Sequence, residues 1–421
     1  MLNAYRIATE IAEPFLPWWL WIRKKRGKED PARLGERFGL SAIPRPKGTL
    51  VWVHAASVGE ANSVLELIHK LRAQLPQVYI LMTTGTVTSA QLMKSRLPKG
   101  CVHQYVPLDT QQYTSRFMRH WKPDVALFVE SELWPNLILN ADFYQCFMGL
   151  INGRMSKRSF ASWQKRPEMI RDLISRFSFV MAQSEEDAKR FKALGAKNCE
   201  DMGNLKYDAT TLPCDEAELL NMQKTIGDRP LWLAASTHPG EEEQVAGAHA
   251  LLSATRGNLL TIIVPRHPGR GEQIANMLRA KGKVALRSKK EPIAADTNFY
   301  VADTLGELGL FYRLSPVVFM GGSLDGHGGQ NPLEAARFAC AIVSGPDTQN
   351  FADIYTHMQK AGACTVLKNA KQIAPQIDRL LGNSAARDTA GKKARNFVET
   401  QQGATDKLLA ALMPVLKDMA K

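Results

Sequence analysis

Two carboxylates and an amine stand where catalysis by proton transfer would need them. Glu60 closes the stretch "HAASVGE" (54–60), Glu130 opens "ESELWPN" (130–136), and Lys206 lies in "GNLKYD" (203–208). Two acids and a cation converging on one crevice suit a general base with neighbours that stabilise developing charge. Each acid also has a plainer reading. Glu60 opens a helix and would complement its dipole, and Glu130 follows four apolar residues as a buried structural acid.

A second group of loops offers contacts to an anion. "FMGGSLDGHGGQNPLEAARFA" (319–339) reads as a strand, a glycine-rich loop and a helix. Its glycines allow close backbone approach. Asn331 suits the N-cap, Pro332 the first helical position, and Glu334 the position of a capping-box acid. Such a helix start presents N–H groups and a positive dipole end to a phosphate. Glu334 either caps the helix or accepts hydrogen bonds from ribose hydroxyls. "VPRHPGR" (264–270) brings Arg266, His267 and Arg270 to another strand end, and Arg can grip phosphate bidentately. In "ADTLGELG" (302–309), Gly306 and the N–H groups around Glu307 and Leu308 could meet a flat base. Three such loops on successive strand ends point to a nucleotide mono- or diphosphate.

These residues must be held by alternating strands and helices. "LVWV" (50–53) is a β-favouring run, and Val64, Leu65, Ile68, Leu71 and Leu75 give the following helix one apolar face. Further strands are expected at 77–85, 123–130, 146–153 and 178–184. After a break they resume at 230–237, 259–270, 284–288, 299–303, 316–323 and 340–346. This is a doubly wound parallel α/β pattern, met twice. In such sheets, the turns after the strands are where ligands bind. The expected divisions are an amino-terminal segment (1–30), a first Rossmann-like domain (31–208), a linker (209–228), a second Rossmann-like domain (229–384) and a helical tail (385–421). A cleft between the two domains follows from that arrangement.

Composition narrows the partners. The chain has 421 residues, 45% of them hydrophobic and 23% charged, which describes a folded protein of two domains. Its six cysteines form no C-x-x-C pair, and neither D-x-D nor H-E-x-x-H occurs. No disulfide framework, zinc site or divalent-metal site is signalled. A net charge of +13 suggests an anionic partner (nucleic acid, anionic lipid or a phosphorylated substrate), the plainer reading being generic solubility charge. Nucleic acid fits poorly, because the aromatics gather near the amino terminus and in cores, not along a basic groove. Residues 3–28 combine Ile7, Ile11, Phe15, Leu16, Trp18, Trp19, Leu20, Trp21 and Ile22 with Arg23, Lys24, Lys25 and Arg26. Charges and two prolines interrupt the run, so it is not expected to span a bilayer. Tryptophans beside cations suit the surface of an anionic membrane. A terminal helix docked on the protein's own core is the other reading.

Seven ordered segments, "HAASVGE", "ESELWPN", "NGR", "GNLKYD", "RHPGR", "GGSL" and "GGQNPLE", together with "RLGERFG" (33–39), resemble those of the 3-deoxy-D-manno-octulosonic acid (Kdo) transferases of lipopolysaccharide assembly. The resemblance implies a GT-B glycosyltransferase fold of two Rossmann-like domains facing a central cleft, plus an amino-terminal membrane-associated helix. It implies CMP-Kdo as donor and, as acceptor, the lipid A precursor, a tetra-acylated bisphosphorylated glucosamine disaccharide. Transfer would invert the sugar, with Glu60 as general base and with Glu130 and Lys206 stabilising the transition state. The acceptor would belong to the first domain and CMP to the second. CMP would lie among Arg266, His267, Gly306, Glu307, Leu308, Asn331, Pro332, Leu333 and Glu334, with Ser323 nearby. No cofactor or metal is expected, because helix N–H groups and basic side chains can serve a single phosphate. The location implied is the cytoplasmic face of a Gram-negative inner membrane, with peripheral attachment to anionic lipid and a role in outer-membrane biogenesis. Two rivals share the scaffold: a nucleotide-sugar epimerase, and a non-catalytic membrane-surface protein that only binds nucleotide.

Overall fold

The computed structural model describes Leu2–Met419. The chain divides into two compact units. One comprises the residues up to Thr210 together with those from Gln402 on, and the other is Thr211–Gln401. Each is built on a seven-stranded parallel sheet with helices on both faces.

The first sheet contains β1 (Leu50–His54), β2 (Tyr79–Thr84), β3 (Cys101–Tyr105), β4 (Val125–Val129), β5 (Phe147–Gly153), β6 (Phe179–Ala182) and β7 (Cys199–Asp201), in the order β3-β2-β1-β4-β5-β6-β7. Every residue of β1 and β4 is buried, as in strands covered by helices on both faces. Alternate side chains serve opposite faces. Leu50 and Trp52 join one core with Phe128 and Leu150, while Val51 and Val53 join another with Leu127 and Ile151.

The second sheet contains β8 (Leu231–Thr237), β9 (Leu260–Pro265), β10 (Val284–Leu286), β11 (Phe299–Val301), β12 (Val317–Met320), β13 (Ala341–Ser344) and β14 (Thr365–Val366), in the order β10-β11-β9-β8-β12-β13-β14. In each sheet the chain first builds outward on one side of its first strand and then returns to the other side. The order therefore reverses between β1 and β4, and between β8 and β12. A crevice opens at the carboxyl ends of strands at such a reversal. The β1 end leads to Glu60 and the β4 end to Glu130. The β8 end leads to His238 and the β12 end to the glycine-rich loop.

Two expected divisions differ from the observed ones. Residues 209–228 contain a helix, Glu216–Ile226, which Asp215 caps and which buries Leu219, Met222 and Ile226 within the second unit. The 385–421 tail is split. Helix Ser384–Thr400 stays with the second unit, where a Cβ on Gly391 would fall 2.0 Å from the Ala339 carbonyl oxygen. Helix Ala404–Met419 belongs to the first unit and buries Leu408, Leu409, Leu412 and Leu416 in its core. Asp208 anchors that helix by accepting from the N–H groups of Gly403 and Thr405.

The amino-terminal residues form helices Leu2–Ala12 and Leu16–Lys25, joined by a 3-10 turn. One side docks: Tyr5 donates to Asp109 at 2.9 Å, and Asn136 donates to the Thr9 hydroxyl at 3.0 Å. The other side carries exposed Ile7, Ile11, Phe15, Trp18, Trp19 and Trp21. Arg23 turns back to Glu29 at 2.6 Å. Among the described residues, no helix is long and apolar enough to cross a membrane.

Candidate active site

Glu60 lies in the first turn of helix Val58–Ser63, and that turn fixes both its oxygens. Ser57 accepts the Glu60 N–H at 3.3 Å and donates its hydroxyl to Oε1 at 2.7 Å, while the Ala56 N–H donates to Oε2 at 2.9 Å. Glu60 thus exchanges hydrogen bonds with the N-cap Ser57 in the first turn of its helix, the place where the sequence expected it to complement the dipole. Its carboxyl is nevertheless not an ordinary surface acid. Burial, then the charges of Glu132 and Glu130, push it up to about 7, against the lowering effect of the Ser57 and Ala56 bonds. A carboxyl held in one place and titrating near neutrality is suited to taking a proton.

Glu130 follows β4 in a left-handed conformation, φ 56°, which is uncommon for a residue with a side chain. Its backbone is held on both sides: its N–H donates to the Ile151 carbonyl and its carbonyl accepts from the Arg154 N–H. The carboxylate, almost fully buried, pairs with Lys206 Nζ at 2.5 Å. The loop carrying Lys206 is clasped by two asparagines. Asn152 Oδ1 accepts the Leu205 N–H and Asn204 Oδ1 accepts the Lys206 N–H, each at 3.0 Å. The segments "NGR" and "GNLKYD" therefore work together to aim one lysine at one buried acid.

Two members of this group had no role in the sequence reading. His54 is fully buried at the end of β1, with Nε2 3.4 Å from the Glu132 carboxylate. The Thr83 hydroxyl accepts from the Trp52 indole at 2.8 Å and lies 3.0 Å from His54 Nδ1. An indole N–H can only donate, and the tautomer of His54 that accepts the Thr83 hydrogen at Nδ1 turns its Nε2 hydrogen toward Glu132. Burial raises Glu132, but hydrogen bonds from His54 and Trp134 outweigh it and leave the carboxyl below its usual range. Glu60 and Glu132 are thus driven apart, one toward the protonatable range and one toward permanent charge. The signal was present in the sequence, since His54 opens "HAASVGE" and Glu132 stands two residues after Glu130.

In the second unit, the fully buried Glu241 organises the glycine-rich loop. Its carboxylate accepts the N–H groups of His238 (2.9 Å), Gly322 (2.6 Å), Ser323 (2.8 Å) and Leu324 (3.1 Å). The Ser323 hydroxyl is buried, donating to Met320 O at 2.6 Å and accepting from the Gly345 N–H at 2.8 Å. The structure makes Ser323 a brace for the loop, since neither its hydroxyl nor its N–H is left for a nucleotide. Arg270 is likewise committed, as a bidentate partner of buried Glu242 at 2.8 and 3.1 Å. Arg266 and His267 are exposed at the end of β9, and the Arg266 guanidinium has no hydrogen-bond or ion-pair partner among the described residues.

Gly306, at φ 86°, has open space where a side chain would lie. Glu307 is taken by Arg287 and Thr304, and Arg287 also holds Glu218 of the 216–226 helix. Only the backbone of Glu307 remains for a base, as expected of this loop. Leu308 starts helix Leu308–Leu314. Asn331 caps helix Pro332–Arg337 by accepting the Leu333 N–H at 3.1 Å. Pro332 and Leu333 are buried, and Glu334 is half-buried in the first turn, where its charge reaches Tyr312. The loops after β11, β9 and β12 thus lie on strands ordered β11-β9-β8-β12, with the His238 loop of β8 among them. Among the described residues, no group of three or more His, Cys, Asp or Glu side chains is placed to hold a metal ion.

A family model described as 3-deoxy-D-manno-octulosonic-acid transferase (kdotransferase) matches residues 32–209. The 3-deoxy-D-manno-octulosonic acid transferase of Rickettsia bellii (strain RML369-C) is 34% identical over 413 residues, covering 97% of this chain and 98% of that protein. A probable mitochondrial 3-deoxy-D-manno-octulosonic acid transferase of Arabidopsis thaliana is 35% identical over 408 residues, covering 94% and 91%. Among solved structures, a putative UDP-N-acetylglucosamine 2-epimerase of Listeria monocytogenes superimposes with a TM-score of 0.59, covering 88% of this chain and 97% of that one. At 15% identity, this last likeness concerns the two-sheet fold alone.

Proposed function

This chain belongs to the family of 3-deoxy-D-manno-octulosonic acid transferases, which are glycosyltransferases, and from that premise we propose that it moves Kdo from CMP-Kdo to the lipid A precursor in lipopolysaccharide biosynthesis. Glu60 takes the proton from an acceptor hydroxyl as that oxygen bonds to the anomeric carbon of the donor. The bond from that carbon to the phosphate oxygen breaks on the opposite face, CMP leaves with the electron pair, and the sugar is inverted. Glu130 and Lys206 stabilise the charge that develops. Arg266 and His267 meet the phosphate, the 306–308 backbone meets the base, and Asn331–Glu334 meet the ribose. No metal or cofactor enters this reading, because the charge on a single phosphate falls to basic side chains and a helix start. Similarity to transferases over nearly the whole chain favours this reading over the epimerase and the non-catalytic binder.

The observation that carries the proposal is Glu60, fixed by Ser57 and Ala56 and raised to about 7. The acceptor is a membrane lipid, so the protein works in this reading as a peripheral protein on the cytoplasmic face of the inner membrane. The exposed Ile7, Ile11, Phe15 and tryptophans, followed by Lys24, Lys25 and Arg26, support an anionic lipid surface as its resting place. The test is incubation of the purified chain with lipid A precursor and CMP-Kdo, generated in situ, with product masses read out. Addition of Kdo units is expected, and an unchanged acceptor mass would refute the assignment.

A further inference from the structure

The strand-order reversal of the second sheet holds a group of three histidine rings, two of which the reading above leaves without a task. The His238 ring stacks on His327 at 4.1 Å between centroids and meets His267 edge-on at 5.9 Å. The three come from three different loops, after β8, β12 and β9. Two of these loops, those of His238 and His327, are fastened by hydrogen bonds. Glu241 ties His238 to the glycine loop, Asn350 donates to the His327 carbonyl, and Asp347 accepts the Gly328 N–H. Gly322 keeps the space clear, since a Cβ there would fall 3.2 Å from the His238 ring and 3.0 Å from the Gln330 amide. Imidazoles stacked on one another beside Arg266 form a poor arrangement unless something negative joins them.

We propose that His238 and His327, with Arg266 and His267, form the subsite that grips the phosphate of the donor, His238 being the member that takes up a proton as the anion arrives. This rests on the nucleotide-sugar reading above and adds two residues and a coupled protonation to it. The charges facing His238 favour it. His267 and Arg266 come from the loop after β9, and His327 comes from the loop after β12. Nearby acids are already engaged or set aside: Glu241 holds four backbone N–H groups, Glu242 holds Arg270, and Asp325 lies against Gly240. Burial first, then the positive field of His327, His267, Arg266 and Arg270, lowers His238 to about 4, so the ring is neutral while the subsite is empty. An anion cancels that field and adds attraction of its own, which raises the imidazole again. Gln330, 3.2 Å from His238 Nε2, can follow the change, because an amide presents either its NH₂ to a bare nitrogen or its oxygen to a protonated one.

The experiment follows the His238 ring by NMR, with the resonance assigned through His238→Gln. The probe is the methyl ester of CMP, whose phosphodiester keeps one negative charge over the range titrated. The ester should raise the His238 midpoint by about two units, a shift typical of an opposite charge brought within a few ångström. Ester affinity should then fall about tenfold from pH 5 to pH 8 in the wild type, and His238→Gln should lose that part of the pH dependence. Cytidine, which lacks the phosphate, should move nothing. His327→Ala should weaken the ester but not cytidine. If the ester binds while His238 stays at about 4 and His238→Gln binds it equally well, the subsite is overturned and the donor reading stands. If the ester fails to bind but inorganic phosphate raises His238, the subsite stands and the donor reading fails. If the ester fails to bind and phosphate leaves the ring unmoved, both fall.

Discussion

Glu60→Gln separates the catalytic role of this residue from its structural one, because the two respond in opposite directions. The amide has the shape of the carboxyl, so its oxygen can still accept the Ala56 N–H and its NH₂ can donate to Ser57, which continues to accept the N–H of residue 60. The fold should survive. In the wild type the carboxyl is raised from 4.5 to about 7 by burial and by Glu132 and Glu130. A raised acid contributes stability that is fully present below about pH 4.5 and is lost as pH climbs through 7. At about 1.4 kcal/mol per unit, the loss is on the order of 3 kcal/mol. Glutamine has nothing to lose, so the variant should melt higher than the wild type at pH 8, with the gap closing toward pH 4.5. Turnover should drop by about 10²–10⁴-fold, the usual worth of a positioned base, while CMP affinity holds. The wild-type rate should rise with pH up to about 7 and then level off, and the variant should lack that limb. Activity within tenfold of wild type, an unchanged acidic limb, or parallel melting curves against pH would each refute the reasoning.

Glu334→Ala should weaken CMP binding by about 1–3 kcal/mol in calorimetry if a ribose contact is lost; a fall in melting temperature alone would assign the residue to its helix. Ser323→Ala should do the reverse. Stripping the Met320 carbonyl and the Gly345 N–H of a buried partner lowers stability by about 1–3 kcal/mol and leaves CMP affinity unchanged. Changing Trp18, Trp19 and Trp21 to Ser should release the protein from anionic liposomes in flotation. Each of Lys24, Lys25 and Arg26 is worth about 1 kcal/mol near such a surface, so wild-type flotation should also weaken with salt. Equal flotation of the two proteins would mean that the docked side of these helices is their whole purpose.

The central strands were legible because both their faces are covered, which writes them as unbroken apolar runs such as "LVWV" and "VALFV". Three strands escaped, and all three lie at sheet edges: "CVHQY" at β3, "CED" at β7 and "TV" at β14. An edge strand has one neighbour, can be short, and tolerates polar residues, so its sequence carries little periodicity. Site residues followed a similar rule. Glu60 and Glu130 could be read because each follows its own strand. Partners brought together by the fold could not: Arg270 looked like a phosphate ligand until Glu242, 28 residues away, took both its nitrogens. His238 carries no local mark of function, and only the meeting of three loops gives it one.

That meeting shows how one fold, used twice, is turned to opposite tasks. At the reversal of the first sheet, Glu60, Glu130 and Glu132 come together, and the charges of the other two add to burial in raising Glu60. Lys206 pairs with Glu130, and hydrogen bonds from His54 and Trp134 leave Glu132 below its usual range. At the reversal of the second sheet, burial first and then the positive field of His327, His267, Arg266 and Arg270 lower the His238 imidazole. Each site holds one group away from its ordinary charge by burying it and, second, by surrounding it with its own kind. An acid prepared in this way is suited to taking a proton, and the imidazole, in the subsite proposed above, to taking one as an anion arrives. The sequence supplies the like charges, and the order reversal in each parallel sheet brings them to the same strand ends.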